Sequence, residues 1–215
     1  MSTRIFTCLI SLFLATNSFA VKTPKPDEIH LLIVDGLLNT YNQKSDYVRL
    51  FNDKDLTGWG YRKKSGEIIV FESFDGMNET PENRFFAKGG ILTANPYIDG
   101  YAERYGAIWT KKEFPEDFIL TLEFRASKNA DSGIFLRGTQ LQCRDYLMAG
   151  PYKNLKNYKP QDWNKIEVVV KNNMARCTCN GEILEEALSI PATGPIGLES
   201  DLGQMEYRNI QIREL

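Results

Sequence analysis

Long polar side chains recur on the non-core faces and at the ends of three consecutive predicted strands. They are Glu123, Arg125, Arg137, Gln140, Gln142 and Asp145. If these strands are neighbours, the side chains converge on one sheet face, where carboxylates can exchange protons and arginines can bind an anionic oxygen. The alternative is a solvated outer face whose charges form cross-strand ion pairs, such as Glu123 with Arg125 or Arg137.

Several other chemistries are excluded by missing motifs. The sequence contains no GxxxxGK[ST] phosphate loop, no GxGxxG motif and no HExxH motif. His30 is the only histidine and lies outside the predicted strands, so a Ser-His-Asp triad is not available. Acid–base chemistry must therefore come from Asp, Glu, Tyr or Lys, or from a metal-bound water.

The cysteines do not form a metal-binding pattern. Cys143, Cys177 and Cys179 lie in the predicted strands, and there is no CxxC pair among them. Three thiols cannot all pair within one chain. We expect buried free thiols, with a disulfide from Cys143 to one of the other two as the alternative.

The strands that position these residues are predicted from short segments in which apolar and polar residues alternate, separated by turn residues. Residues 119–126 place Leu120, Leu122 and Phe124 on one face, and residues 163–171 do the same with Ile166, Val168 and Val170. Asn180-Gly181 is a strong hairpin signal. Further strands are predicted at 47–51, 90–93, 107–110, 132–137, 140–144, 175–179, 182–185, 196–199 and 205–212. Because the gaps are too short for crossover helices, we predict an all-β antiparallel sandwich or barrel.

The N-terminal part differs from this pattern. Arg4, an apolar run and a small-x-small ending at Ala20 are typical of an export signal, so we predict residues 1–20 as a signal peptide. Residues 21–46 read as a linker or short extension, in which 29–38 could form a helix or strand. The β domain is predicted at 47–215, and we expect a periplasmic or secreted protein without a membrane span in its mature form. The formal net charge of −2 gives no basic surface for nucleic acid.

Six ordered segments carry a resemblance to a known family. They are LFNDKDLTGW at 50–59, GAIWTKKEFPEDFILTLEFR at 106–125, DSGIFLRG at 131–138, QLQCRD at 140–145, DWNKIEVVVK at 162–171 and GPIGLESDLGQMEYRNIQIREL at 194–215. Together they resemble the 3-keto-disaccharide hydrolases. The resemblance implies a concanavalin-like, two-sheet antiparallel sandwich (a jelly roll) and a carbohydrate partner.

The resemblance also implies a reaction. A ketone at C3 of a sugar acidifies the hydrogen at C2, so the glycosidic oxygen at C1 can leave by elimination, after which water adds back. Roles follow by resemblance: Asp145, Glu123 and Asp201 as catalytic carboxylates, and Arg125, Arg137, Gln140, Gln142 and Glu199 as substrate-binding residues. We expect Glu123, Arg125, Arg137, Gln142 and Asp145 to line one concave face, with Asp201 at its rim. No cofactor is assigned, although a divalent cation such as Ca²⁺ could replace the arginines.

Two departures from the family pattern leave a second function open. Many relatives read EVQILD where this chain reads QLQCRD, so the first glutamate is Gln140, which cannot ionise. The family's QSEG is replaced by residues 199–202, in which Asp201 keeps a carboxylate and Leu202 loses the glycine. A non-catalytic carbohydrate-binding module is therefore the alternative, because the same sandwich supports both functions.

Overall fold

The computed structural model describes residues 46–65, 67–96, 106–148 and 150–215, without the side chains of Lys64 and Ser65. The predicted signal peptide and the possible helix or strand at 29–38 lie outside the described residues, as does almost all of the predicted linker. Within the described residues there is no helix that is long and apolar enough to cross a membrane.

Fourteen strands account for the regular structure of the described residues. They are β1 (Val48–Arg49), β2 (Trp59–Ser65), β3 (Ile68–Ser73), β4 (Phe85–Lys88), β5 (Ile91–Ala94), β6 (Gly106–Thr110), β7 (Phe118–Ala126), β8 (Gly133–Leu136), β9 (Thr139–Gln142), β10 (Asn164–Lys171), β11 (Met174–Cys179), β12 (Glu182–Ser189), β13 (Ile196–Ser200) and β14 (Met205–Glu214).

The strands form two antiparallel sheets. The eight-stranded sheet has the order β12-β11-β10-β7-β14-β5-β4, with β1 also paired to β14. The six-stranded sheet has the order β3-β2-β6-β13-β8-β9. The predicted all-β, concanavalin-like sandwich is confirmed.

The apolar alternation explains the core between the two sheets. Leu120, Leu122 and Phe124 of β7 are at most 1% exposed, and every second residue of β10 from Ile166 to Val170 is fully buried. The six-stranded sheet contributes Ile108, Ile134 and Leu198 to the same core in the same way. Because side chains alternate between faces, each buried residue fixes its neighbours on the outer face of its sheet.

Turn chemistry follows the sequence closely. Asn180-Gly181 joins β11 to β12, and both residues have positive φ, as a type I′ hairpin requires. Asn52 begins the turn before β2, where its Oδ1 accepts hydrogen bonds from the backbone N–H groups of Lys54 and Asp55. Trp59 is fully buried and donates its indole N–H to the Leu50 carbonyl.

Three strands were not predicted. β2 is rich in lysine, arginine and glycine, and β3 exposes Ile68, Ile69 and Val70 because it forms the edge of the six-stranded sheet. β4 is only four residues long and forms the edge of the other sheet. Edge and charged strands lack the two-residue alternation on which a sequence prediction depends.

The three cysteines of the described chain are buried and free, as expected. Cys177 and Cys179 lie two residues apart on β11, and burial raises the pKa of each thiol to about 12. Burial also raises the pKa of the Cys143 thiol. These thiols therefore remain protonated at neutral pH and act as small apolar core residues.

Candidate carbohydrate site

The outer face of the six-stranded sheet carries a row of aromatic side chains. Trp109 lies between the buried Ile108 and Thr110 of β6, and Phe135 lies between the buried Ile134 and Leu136 of β8, so both rings point away from the core. Their centroids are 4.9 Å apart. Phe71 of β3 lies on the same face, and we call Phe71, Trp109 and Phe135 the aromatic row.

Glycines beneath these rings let them lie on the sheet. Gly197 of β13 pairs with both Trp109 and Phe135, and a Cβ atom at Gly197 would stand 2.7 Å from atoms of the Trp109 ring. Gly60 of β2 lies beneath the Phe71 ring, where a Cβ would stand 2.7 Å from the ring and 2.2 Å from the Glu72 carbonyl oxygen. Any larger residue would displace the rings, so the glycines and the aromatic row form one surface.

Glu199 lies on this surface beside the aromatic row. It follows Gly197 by two residues on β13, so alternation places both on the outer face. Its side chain is largely buried, and the residue is 8% exposed. Burial raises the pKa of the Glu199 carboxyl, and the negative charges of Asp201 and Asp131 raise it further.

Gln140 holds Glu199 from two strands away. The amide Nε2 of Gln140 on β9 donates to Glu199 Oε2 at 2.6 Å, although β8 lies between β9 and β13. The side chain crosses at Gly133, where a Cβ atom would stand 2.5 Å from Nε2. Gly133 therefore leaves the space that the Gln140 side chain occupies.

Further charged groups border Glu199. Arg144 Nη1 lies 3.2 Å from Asp131 Oδ2, just beyond the end of the β8–β9 ladder. Gln142 pairs with Gly133 in that ladder and shares the outer face with Gln140. The site therefore combines a carboxyl of raised pKa, an amide, a guanidinium and an aromatic surface.

The expectation that Glu123 and Arg125 share this face is wrong. Both lie on the outer face of the eight-stranded sheet, on the opposite side of the sandwich. Arg208 Nε donates to Glu123 at 2.5 Å, and Arg125 Nε donates to Glu206 at 2.5 Å. These are the cross-strand ion pairs of the alternative interpretation, with partners from β14.

The two arginines of these ion pairs also lie over the ring of Trp163 on the eight-stranded sheet. The guanidinium carbons of Arg208 and Arg125 lie 4.0 and 4.8 Å from the centroid of its ring. A cavity of about 160 Å³ on the same face is lined in part by Glu123. Because the Glu123 carboxylate already binds Arg208, it is not poised as a free base.

Arg137 does not line the site either. It stands at the tip of the β8–β9 hairpin with φ 52° and is 3% exposed. Its guanidinium donates to Asn173 Oδ1 and to the carbonyls of Pro191 and Glu116. Burial lowers the pKa of Arg137, and its role is to fasten the hairpin rather than to meet a ligand.

Asp145 is likewise a buried structural group. It is 2% exposed, and its carboxylate accepts hydrogen bonds from the backbone N–H of Asn129, from Gln161 Nε2 and from the Tyr158 hydroxyl. Asp145 lies one residue beyond Arg144, on the core side of the chain. Two of these donors lie in its own β9–β10 loop and the third in the β7–β8 loop, which explains its burial without a ligand.

The structure thus brings together Gln140, Gln142, Glu199 and Asp201 from the predicted set. Sequence reasoning missed the aromatic row, Asp131 and Arg144. The signal for Trp109 and Phe135 was present, because each alternates with core residues in segments already matched to the family. Phe71 gave no such signal, since its strand was not predicted.

The described residues offer no set of metal ligands. No group of three or more His, Cys, Asp or Glu side chains in them is arranged to hold an ion. Two arginines bring positive charge to these carboxyls: Arg144 pairs with Asp131, and the charge of Arg84 acts on Glu199.

A family model described as a 3-keto-alpha-glucoside-1,2-lyase-like domain matches residues 46–213. The chain belongs to this family. The resemblance to 3-keto-disaccharide hydrolases is therefore confirmed, and the chain is a member of a carbohydrate-acting family. No curated protein sequence matches it.

One solved structure agrees with the fold of this 3-keto-glucoside lyase-like domain, and others are more distantly similar. A presumed glycosyl hydrolase from Parabacteroides distasonis has a TM-score of 0.60 at 16% identity, covering 80% of this chain and 96% of that one. A second one from the same organism has a TM-score of 0.48 at 23% identity, covering 64% and 93%. A carbohydrate-binding module from Bacillus subtilis has a TM-score of 0.43 at 8% identity, covering 75% and 98%.

Proposed function

We propose that this protein is an exported enzyme that cleaves 3-keto-glycosides by elimination and hydration on the outer face of the six-stranded sheet. The observation that carries the proposal is Glu199, a largely buried carboxyl of raised pKa beside Trp109 and Phe135. Acid–base groups gain efficiency when their pKa approaches the working pH. Family membership supports the reaction type.

The aromatic row supports a sugar ring as the ligand. Pyranose rings have flat C–H faces that pack on aromatic side chains, and their edges carry hydroxyls that need hydrogen-bond partners. Trp109 and Phe135 provide the packing surface, while Gln140, Gln142 and Arg144 provide donors and acceptors at its border. A pyranose stacked there lies beside Glu199.

The reaction needs a base, an acid and a group that stabilises an enolate. The Glu199 carboxylate takes the proton from C2, and the C2–H electron pair forms the enolate of the C3 ketone. Those electrons then form the C1–C2 double bond as the C1–O bond breaks, and the leaving oxygen takes a proton. Water adds across the double bond, with hydroxyl to C1 and a proton to C2, so the sum is hydrolysis.

The other side chains serve this sequence. We assign Arg144 to the enolate oxygen, because a guanidinium stabilises negative charge that develops in the transition state. Asp201 favours the protonated form of Glu199, because its negative charge raises the pKa of that carboxyl, so the leaving oxygen takes its proton from Glu199. Gln140 is a positioning residue that fixes the orientation of the Glu199 carboxyl.

A non-catalytic carbohydrate-binding module is the second candidate. Gln140 favours it, because the carboxylate of many relatives is replaced there by an amide that bonds sugar hydroxyls but cannot ionise. The same aromatic surface would then bind a sugar without cleaving it. Binding of the parent glucoside without turnover of its 3-keto form would support this candidate.

Incubation with a 3-keto-glucoside and with its parent glucoside, followed by chromatography, tests the proposal. We expect cleavage of the 3-keto form alone, unchanged by a chelator. The variant Glu199→Gln should lose at least about 100-fold in rate, as is typical when a general base is removed.

Glu123→Gln is the matched control, because Glu123 is the corresponding carboxylate on the outer face of the other sheet. It should cleave at the rate of the unmodified protein. Equal losses in both variants, or cleavage that survives Glu199→Gln, would exclude Glu199 as the base.

A further inference from the structure

We propose that β3 is a dimerisation strand, which pairs antiparallel with β3 of a second copy of this chain. β3 forms one edge of the six-stranded sheet, and β2 is its only partner strand among the described residues. Pairing across a two-fold axis joins the six-stranded sheets of the two copies into one continuous sheet. This inference concerns assembly and does not rest on the proposed function.

The other sheet edges in the described part of the chain carry features that discourage the addition of a strand. β1 has two residues, and β4 and β9 have four each. β12 has two register shifts against β11 and carries Glu182, Glu185 and Glu186. Short length, bulges and charges are the usual protection of an edge. β3 has six residues in unbroken register with β2, so it is the edge that is long and regular enough to pair.

β3 also exposes apolar side chains that a second strand would cover. Ile68, Ile69 and Val70 follow one another along the strand and are 70%, 57% and 50% exposed. Consecutive side chains of a strand point to opposite faces, so apolar surface lies on both sides of this edge. A ligand on one face of the sheet covers half of it, whereas a strand laid along the edge covers both halves.

The backbone groups that face this edge follow from the ladder with β2. Phe74 donates its backbone N–H to the Trp59 carbonyl, and the ladder from there to the start of β3 has no register shift. In an antiparallel ladder, hydrogen-bonded and non-hydrogen-bonded residues alternate. The N–H and C=O groups of Ile69, Phe71 and Ser73 therefore point away from β2, towards the free edge.

A two-fold axis through Val70 satisfies these backbone groups and suits the side chains. It places Ile69 opposite Phe71 of the second copy, so edge-facing N–H and C=O groups meet each other. Val70 then lies opposite its own copy, and Ile68 lies opposite Glu72, so like charges do not stand directly opposite each other. The strand is complementary to itself, as a contact between two identical copies requires.

Sedimentation velocity over a series of protein concentrations tests this assembly. We expect the unmodified protein to form a dimer as its concentration rises. Val70→Lys should remain monomeric, because two lysines would meet at the two-fold axis, and Val70→Glu should do the same. An equimolar mixture of these two variants should form a heterodimer, since a lysine then meets a glutamate.

Ile183→Lys is the matched control, because Ile183 is 49% exposed on β12, at an edge of the other sheet. It should dimerise like the unmodified protein. Heterodimer formation also shows that both Val70 variants are folded, because an unfolded chain cannot pair in register.

Three results would overturn the proposal. The first is an unmodified protein that stays monomeric at every concentration, including one whose β3 amides are protected from hydrogen exchange because something else covers the edge. The second is a dimer that Val70→Lys leaves intact. The third is a mixture of Val70→Lys and Val70→Glu that stays monomeric, since the axis then does not pass through Val70.

Discussion

Glu199 has acid–base properties because of what surrounds it. Burial and the nearby charges of Asp201 and Asp131 make its ionised form less favourable, while the hydrogen bond from Gln140 and the charge of Arg84 partly offset them. The result is a raised pKa on a residue that borders an aromatic surface. Glu123 on the other sheet differs, because its carboxylate is paired with Arg208.

The raised pKa predicts how stability depends on pH. In the range between the ordinary glutamate pKa of about 4.3 and the raised value, the folded protein holds a proton that the unfolded chain has lost. The contribution of Glu199 to the free energy of unfolding therefore falls as the pH rises through this range. Glu199→Gln should raise the melting temperature near pH 7 relative to the unmodified protein.

The same comparison at about pH 4 should show a much smaller difference, because the carboxyl is then mostly protonated in both states. Thermal unfolding across pH 4–8 measures the effect, with Glu123→Gln as the control. A variant whose melting temperature differs from the unmodified protein by the same amount at every pH would refute the raised pKa.

The Gln140–Glu199 pair predicts an exchange experiment. Gln140 reaches Glu199 only because Gly133 leaves the path across β8 open. Reversing the pair in the double variant Gln140→Glu, Glu199→Gln keeps one carboxyl and one amide in the same contact. We expect this double variant to cleave at least about ten times faster than Glu199→Gln alone.

Adding Gly133→Ala to the double variant should remove that recovery, because the methyl group blocks the contact. Steady-state rates on a 3-keto-glucoside provide the measurement. If the double variant is no faster than Glu199→Gln alone, the two positions are not interchangeable and the carboxyl acts only from β13.

At the scale of the elements, Arg137 stabilises the β8–β9 turn through hydrogen bonds to segments that are distant in the sequence. Its positive φ belongs to the two-residue turn that it forms with Gly138, and three acceptors from other segments and the Phe118 ring hold its guanidinium. Arg137→Met should destabilise the fold by about 2–4 kcal/mol, since it leaves buried acceptors without a charged donor.

Arg125→Met is the matched control for this prediction. Arg125 is paired on the outer face of the other sheet, where an exposed ion pair contributes about 0–1 kcal/mol. Chemical denaturation of the two variants measures the difference. Equal losses of unfolding free energy would mean that Arg137 is no more important to the fold than a surface arginine.

Alternation along a strand predicted the fold but not the site. It placed Glu123 opposite the core residues of β7, and Gln140 and Gln142 opposite those of β9, and both statements are correct. However, β7 belongs to one sheet and β9 to the other, so their outer faces point in opposite directions. Sheet membership depends on long-range pairing, which local periodicity does not contain.

The missing strands had a direct consequence for the site. Without β2 and β3 there was no reason to place Phe71 or Gly60 on the same surface as Trp109. Arg137 and Asp145 were misassigned for another reason: charged residues are expected at the surface, and their burial depends on partners from distant loops. Family resemblance suggested the reaction and named Glu199 as a substrate-binding residue, whereas its burial and its partners led to the proposed role as a base.

For the whole molecule, the two outer faces of the sandwich have different characters. The eight-stranded sheet presents ion pairs around Trp163, and the six-stranded sheet presents the aromatic row with Glu199. An export signal would deliver this second face to sugars outside the cytoplasm. We predict that the mature protein begins at Val21 in the periplasm or medium.

N-terminal sequencing of the protein from fractionated cells checks this prediction. A soluble cytoplasmic pool that retains Met1 would contradict export. Replacing the apolar run around Leu12 with charged residues should hold the protein inside the cell, because a charged segment no longer acts as a signal.

The central claim is that Glu199 removes the proton at C2 of a 3-keto-glycoside, and solvent exchange tests it most directly. Cleavage in D₂O, followed by NMR of the early product, shows whether C2 carries solvent deuterium. We predict deuterium at C2 with the unmodified protein and with Glu123→Gln, and neither cleavage nor incorporation above the protein-free rate with Glu199→Gln. Cleavage that leaves the original hydrogen at C2, or incorporation that persists without the Glu199 carboxyl, would contradict the proposed mechanism.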